Sequence, residues 1–509
     1  MKTHLLLLVA SLALTGPTSL DAAPLAGTKP NIILIMPDDM GWGDMGIHGN
    51  PLIQTPNLNR LKGESLSFTD FHVSPTCAPT RSAIMSGRHE FRNGVTHTIF
   101  ERERMSLDTI TLPSVLKTAG YSTGIFGKWH LGDEAEYQPD QRGFDEVYIH
   151  GGGGIGQTYA GSCGDFPGNT YHDPALLHNG TIVKEKGYCT DLFFAQAVRW
   201  IGEQAKAGTP FFTYLTPNAP HAPYISPGPK YDALYEGKEI DGQKLDAGAV
   251  AYYSMITNID ENVGKLLGKL KEWGLEENTL VFFLSDNGGT FTKLYSGGFR
   301  GGKGTPYHGG THAPSFWRWP GHITAGAECH ALAAHIDLFP TFLELVGIAP
   351  TPELQKQWDG RSLVPLLENP NANWSDRTLV THVGRWPAGQ IAQGKYRNYS
   401  IRDGRYRLVN NLELYDLQAD RGESTNVLDQ HPDEVANLRG DFEAWWEKTE
   451  PRFVNEDVRG PKINPLKALY WKQFGGGPDE ALLRQMDPEG KFMPVPPRKK
   501  AKPPAKKPQ

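Results

Sequence analysis

Four short, mainly apolar runs punctuate the chain: Asn31–Met36, Tyr121–Phe126, Phe211–Leu215 and Leu280–Leu284. Runs of this length without polar alternation predict strands buried on both faces, as in parallel sheets. Between them the period turns helical. Thr111-Leu112-Pro113 opens one helix, with proline at an early position and Gly120 closing it, and Asp191 to Ile201 and Ala247 to Trp273 carry two more. Strands alternating with helices predict an α/β domain over residues 25–374, built on a large, mostly parallel central sheet flanked by helices. From about Ser375 the pattern becomes short strands around Arg402–Val409 and Leu412–Leu417, then an amphipathic helix near Asp433–Lys448. That predicts a smaller C-terminal α+β subdomain over 375–460, followed by an extension over 461–490.

The two ends differ from the body. Lys2 and His4 precede the apolar run Leu5 to Leu14, and small residues gather at Ala22 and Ala23. This predicts a signal peptide, residues 1–22, and a periplasmic or secreted protein; the run is too short for an integral membrane span. Export permits disulfides, and Cys163 with Cys189 is the expected pair, the alternative being two small buried residues. Residues 491–509 hold seven Lys/Arg, six Pro and no acid, which predicts a disordered basic tail.

Composition narrows the class. An apolar content of 39% with a net charge of -6 over 509 residues excludes disorder as the main state. Four cysteines without a CxxC pair exclude a disulfide scaffold and a zinc knuckle. Without its tail the chain is acidic, so nothing points to nucleic acid, and an anionic substrate needs a local cluster of positive groups.

The strand ends are where such chemistry would lie, because ligands of open α/β sheets bind beyond the carboxyl ends of strands. Asn31–Met36 runs into Pro37-Asp38-Asp39, and Leu280–Leu284 into Ser285-Asp286-Asn287-Gly288. Acids after a strand usually cap a helix or form a turn. Three carboxylates and an amide converging from two strand ends would instead repel one another unless a cation sat among them. An all-oxygen set suits a hard ion, Ca²⁺ or Mg²⁺. The other two strand ends are basic, leading to Lys128 and His130 and, through Pro220, to His221; Lys303 lies in a Gly-rich loop. Acidic and basic ends together predict an anion site facing a metal.

A further element is Cys77-Ala78-Pro79-Thr80-Arg81. Pro79 suits a first helical turn, so Cys77 would stand at a helix N-terminus, where free N–H groups favour an anion. Arg81 adds a planar fork for oxyanions. A thiolate nucleophile is the ordinary reading, but an exported free thiol is prone to oxidation.

These residues resemble the formylglycine-dependent sulfatase family of the alkaline-phosphatase superfamily. Cys77-x-Pro79-x-Arg81 followed by Ser82-Ala83 and Ser86-Gly87-Arg88 carries its most specific signature. The likeness continues in order through Asp38 to Asp44, Gly127 to Gly132, His221-Ala222-Pro223, Ser285 to Gly289, Lys303-Gly304, Arg318 to Gly321 and Leu414 to Leu417. The segment Asp173 to Ile201 resembles bacterial proteins of the arylsulfatase type. The resemblance implies that a maturation enzyme converts Cys77 to formylglycine, and that Asp38, Asp39, Asp286, Asn287 and the modified Cys77 hold Ca²⁺. It implies that the hydrated aldehyde attacks sulfur while Ca²⁺, Arg81, Lys128 and Lys303 neutralise the sulfate. His221 would protonate the departing alcohol, and His130 would help expel sulfate. The implied substrate is a sulfate monoester, aryl in vitro and a sulfated glycan in nature. Two alternatives stand beside it: a phosphonate or phosphate ester hydrolase with the same aldehyde, and a non-catalytic sulfoglycan-binding protein whose Cys77 is unmodified.

Where many members have Glu-Gly-Gly-x-Arg, this chain has His308-Gly309-Gly310-Thr311-His312. His-x3-His invites a metal, but the two glycines argue against a helix, so altered packing or an altered pocket wall is the expectation. His150 to Gly156 reads as a flexible loop near the active-site mouth, lacking the helix and spaced acid of a dinucleotide loop. Sequons stand at Asn179, Asn373 and Asn398, and the 12 Trp are expected to be mostly core.

Overall fold

The computed structural model describes residues 24–158, 163–458, 460–461 and 463–478; the expected signal peptide, the basic tail and the end of the extension lie outside them. The four apolar runs form the strands Asn31–Ile35, Ser122–Gly127, Phe211–Thr216 and Thr279–Leu284. They lie side by side in a ten-stranded sheet, ordered Thr279–Leu284, Asn31–Ile35, Phe211–Thr216, Ser122–Gly127, each neighbouring pair parallel. Glu146–Ile149 adds a fifth parallel strand.

Both faces of this centre are covered, which is why its strands carry no polar alternation. Ile32, Leu34, Phe212, Tyr214, Leu280 and Phe282 pack with the helices Leu112–Thr118 and Leu338–Val346. Their alternates Ile33, Ile35, Phe211, Leu215, Val281 and Phe283 pack with Cys189–Ala207 and Ala247–Glu272. Fully burying one such side chain contributes about 1.5–3 kcal/mol, so a single charge in these runs would be strongly disfavoured.

The sheet is mixed toward its edges. Ala175–His178 and Thr181–Lys184 extend one side antiparallel, joined at Asn179-Gly180 with φ of 48° and 81°. That is the two-residue turn that suits right-twisted strands. On the other side Ser315–Arg318 runs antiparallel to Thr279–Leu284, and Leu66–Phe68 and Glu328–Cys329 follow. A separate four-stranded antiparallel sheet, Leu379–His382, Tyr399–Arg402, Tyr406–Val409 and Glu413–Asp416, packs on the helix Pro432–Thr449 through Tyr399, Leu408, Leu438 and Phe442.

Three local expectations are corrected. The expected strand Arg402–Val409 is two strands, because the Asp403 carboxylate accepts the Arg405 and Tyr406 N–H groups and turns the chain there. Cys163 and Cys189 are not bonded: both are free and buried, Cys163 against His130 and Cys189 opening the helix Cys189–Ala207. His308–Thr311 does form a helical turn. Its glycines permit close packing, since a Cβ on Gly310 would lie 2.2 Å from the Thr305 carbonyl oxygen and one on Gly309 2.7 Å from the Arg300 and Gly301 carbonyl oxygens.

Candidate active site

Parallel strands leave the sheet on one side, so the segments after the four central strands meet there. Asn31–Ile35 and Thr279–Leu284 are in register at Ile35 and Phe283, and this brings Asp38 and Asp39 to Asp286 and Asn287. The Asp39 N–H donates to Asp286 Oδ1 at 3.1 Å, and Asn287 Nδ2 donates to Asp39 Oδ1 at 2.9 Å. Each carboxylate has its own cation. Lys128 Nζ lies 2.7 Å from Asp38 Oδ2, Lys303 Nζ 2.6 Å from Asp39 Oδ1, and Arg81 Nη2 2.7 Å from Asp286 Oδ2. Arg81 Nη1 also donates to the Lys128 carbonyl at 2.8 Å.

Cys77 opens the helix Cys77–Ser86, as Pro79 predicted, behind an extended Thr76. All ten residues of this helix are buried, and Gly87 ends it with φ of 71°. Charge balance keeps Arg81 in this interior, because a buried guanidinium is tolerated only when paired and hydrogen-bonded.

His221 Nε2 stands 3.8 Å from Asp39 Oδ2, and a ring nitrogen of His221 lies within 4.8 Å of Asp38 and Asp39 oxygens. Its Nδ1 donates to the Ala222 carbonyl at 2.7 Å, which leaves Nε2 as the atom that exchanges a proton. His130 Nε2 meets the Thr98 carbonyl at 2.8 Å, while its Nδ1 is buried without a partner among the described residues. Asp39 and His130 are both left-handed, with φ of 73° and 61°. Such strain persists only where the surroundings over-determine it, as at a functional site.

Burial alone would raise Asp38, but Lys128, with His221, Arg81 and Lys303, holds its carboxyl well below the usual range. Burial and the Asp38 charge push Asp286 up to about 7 against Arg81, even though Asp286 helps hold Arg81 itself above its ordinary value. The 2.7 Å contact, charge-assisted on both sides, favours the ionised pair. The upward push on Asp286 comes first from its burial and only then from the neighbouring Asp38 and Asp39 charges, and a cation beside it would oppose it. Burial, with Lys128 beside it, holds His130 well below its ordinary value; burial lowers His221 too, against Asp38 and Asp39.

Asp38 Oδ1 and Asn287 Oδ1 are buried acceptor oxygens with no hydrogen-bond partner among the described residues. Unmet buried oxygens are costly, and here they sit beside Asp39 and Asp286 in an all-oxygen set. The residues present therefore fit a hard divalent cation.

Cys77 lies within electrostatic reach of Arg81, Lys128 and Lys303, and His130 within reach of Lys128, Arg81 and Asp38, so the ten residues expected from the sequence share one neighbourhood, and others join them. Asn218 donates from Nδ2 to Asp38 Oδ2 at 2.8 Å and accepts the Ile155 N–H at 2.7 Å, tying a carboxylate to the glycine loop. That loop is packed, not loose: a Cβ on Gly153 would lie 2.7 Å from His130 Nε2, and one on Gly154 3.1 Å from His221 Nδ1. The Tyr252 hydroxyl lies 2.8 Å from the Asp39 carbonyl and 2.6 Å from Asp44 Oδ2, with its one proton shared between them.

His308 and His312 lie elsewhere, in a buried junction with the second sheet. Asp70, His72 and His308 cluster closely enough to suggest a cation. The Arg402 guanidinium already supplies it, bridging both Asp70 oxygens at 2.9 and 2.8 Å and meeting His72 Nε2 at 2.7 Å. Packing is the role here, with His308 stacked on Phe299 at 4.5 Å and His312 on Trp42 at 4.2 Å.

The comparison with protein families decides what this constellation belongs to. The model described as Sulfatase matches residues 30–348, more than half of the chain. The chain belongs to the sulfatase family. A second model, N-sulphoglucosamine sulphohydrolase, C-terminal, matches residues 303–444. Among sulfatase relatives, the chain is 34% identical to N-acetylgalactosamine-6-sulfatase of Homo sapiens over 367 residues, 67% of this chain and 66% of that protein. The match thus spans just under two thirds of that relative. The chain is 31% identical to arylsulfatase A of Homo sapiens over 476 residues, covering 84% and 86%. Ps i-CgsB, solved in complex with k-i-k-neocarrahexaose, is similar in structure with a TM-score of 0.71 at 28% identity, covering 87% of this chain and 97% of that one. The sulfatase-family fold accounts for the ten-stranded sheet and the smaller second sheet together.

Proposed function

We propose that this sulfatase-family chain is an exported hydrolase of sulfate monoesters, acting on a sulfated glycan through formylglycine at residue 77 and a bound Ca²⁺. The observation that carries this reading is the pair of orphaned oxygens, Asp38 Oδ1 and Asn287 Oδ1, within a ring of three carboxylates and three cations. The three pairs balance in charge, so a divalent ion gives the site a positive surplus that a sulfate group answers. Asp38, Asp39, Asp286 and Asn287 would hold the ion, whose Lewis acidity would draw charge from the sulfate oxygens. The aldehyde, installed by a maturation enzyme and hydrated, would supply the nucleophilic hydroxyl and regenerate by releasing sulfate.

The chain's own residues supply the remainder. Lys128 and Lys303, each on a carboxylate, bring their ammonium groups beside the oxyanion site, and Arg81 fixes Asp286. His221, with Nδ1 committed to the Ala222 carbonyl, offers Nε2 to the leaving alcohol. The glycan reading draws on the two sugar-directed relatives, N-acetylgalactosamine-6-sulfatase and the carbohydrate complex of Ps i-CgsB.

The test is sulfate release by calcium-loaded, aldehyde-verified protein across defined sulfated sugars, an aryl sulfate and a phosphate diester. Release from one sugar class is expected. A preference for the phosphate diester, or no release from any sulfate ester, would overturn the reading.

The glycine loop gives a second expectation. In Gly153→Ala the new Cβ would crowd His130 Nε2 and stand 3.2 Å from Cys163 Sγ. Displacing a catalytic group by about 1 Å can cost on the order of 100-fold, so kcat should fall about 10- to 100-fold. Gly440→Ala, with nothing within 4 Å of its new Cβ, is the control. Equal kcat in the two variants would show that the loop gives way.

A further inference from the structure

His130 rests on a carbonyl, and that fixes its tautomer. The Thr98 oxygen only accepts, so the nitrogen 2.8 Å from it, Nε2, carries the proton. Nδ1 is then the lone-pair nitrogen, buried and without a partner among the described residues, free to act as a base. The second shared contact agrees, since the Cys163 thiol also points at the Thr98 oxygen, at 3.4 Å.

What holds Thr98 comes from the far side of the chain. Arg385 Nη2 donates to Thr98 Oγ1 at 2.9 Å, and the Arg385 N–H donates to the Thr96 carbonyl at 3.0 Å. Arg385 is left-handed, with φ of 60°, and follows Gly384, where a Cβ would lie 2.0 Å from the Thr96 oxygen. The next residue continues the grip: the Trp386 carbonyl accepts Arg102 Nη1 at 2.7 Å, and Trp386 Nε1 donates to Glu456 Oε2 at 2.7 Å. Arg102 reaches back to Thr96 Oγ1 at 2.8 Å. The segment Thr96–Arg102 is thereby clamped between the two parts of the protein, with strained backbone at Arg385 on the clamping side.

We propose that Arg385 is a positioning residue for His130, acting through Thr98: the segment after Leu379–His382 sets the orientation and tautomer of a histidine that belongs to the catalytic sheet. This rests on the sulfatase reading for its kinetic consequence, but not for the tautomer itself. It also gives the second sheet a part in catalysis that burial alone does not require.

The experiment uses the full-length, matured protein and compares Arg385→Ala and Arg385→Lys with the parent. On a small aryl sulfate, Arg385→Ala should lower kcat about five- to tenfold, as for one lost hydrogen bond, with KM within about twofold. Arg385→Lys, and added guanidinium with the alanine variant, should restore part of kcat. A rise in KM with kcat unchanged would overturn the proposal, because Arg385 would then be touching substrate. Nitrogen-15 spectra of labelled His130 give a readout independent of activity. The parent should show the Nε2–H tautomer, and Arg385→Ala a mixture. An Nδ1–H signature in the parent, or an unaltered spectrum in the alanine variant, would overturn it even if the protein hydrolysed no sulfate ester.

Discussion

Cys77→Ala is expected to lose sulfate release by at least about 10⁴-fold while keeping the fold, a loss typical of removing a covalent nucleophile. The two halves of this expectation have separate grounds. The thiol is small and only 3% exposed, at the first turn of Cys77–Ser86, and neither the ion pairs nor the helix depends on it. Removing it leaves a cavity of about one heavy atom, costing on the order of 1 kcal/mol. Denaturant midpoints should therefore stay close to the parent's while turnover disappears. Peptide mass analysis of residue 77 in the parent belongs in the same experiment, because only the aldehyde form should be active. Retained turnover in the alanine variant would move the nucleophile elsewhere in the site and with it the whole reaction scheme.

The centre of the fold was legible because its strands are buried on both faces, and burial on both faces writes an uninterrupted apolar run. Asn31–Ile35 and Thr279–Leu284 could be read directly for that reason. The edges could not. Ala175–His178 and Thr181–Lys184 are short and partly exposed, and their turn signal, Asn179-Gly180, coincides with a sequon that gives it a second meaning. Pairing of the central strands, which turns four separate strand ends into one site, comes from topology and has no local trace in the sequence.

The same division holds in the site. Asp38, Asp286, Lys128 and Cys77 sit directly after strands or at a helix start, where position alone suggests chemistry. Asn218 and Thr98 act through contacts with residues far away in the chain, 180 positions from Asn218 to Asp38 and 287 from Thr98 to Arg385, and Thr98 acts on His130 with a backbone carbonyl that any residue carries. Cys163 failed as a disulfide partner for a related reason: its thiol is engaged beside His130, a placement that residue spacing does not encode.

Asp286→Ala should be the most destabilising single change in the site, by about 3–5 kcal/mol in chelator, because it breaks a fully buried ion pair. Asp286 and Arg81 are both 0% exposed, and Asp286 also accepts the Asp39 N–H. Without its carboxylate, the guanidinium keeps the Lys128 carbonyl but loses its counter-charge. The double variant Arg81→Met/Asp286→Ala removes both charges and should recover most of the loss, since replacing a buried pair with apolar bulk is often close to neutral. Unfolding midpoints in urea, measured in chelator, separate this term from ion binding. Adding Ca²⁺ then isolates the other role of Asp286. The parent should gain about 2.7 kcal/mol at a hundredfold excess over its dissociation constant, whereas both variants should gain almost nothing. If the single variant unfolded like the parent in chelator, the Arg81–Asp286 pair would not be carrying charge. If it gained as much from Ca²⁺ as the parent, Asp286 would not be a ligand, and the cation would have to be held by Asp38, Asp39, Asn287 and the modified residue 77.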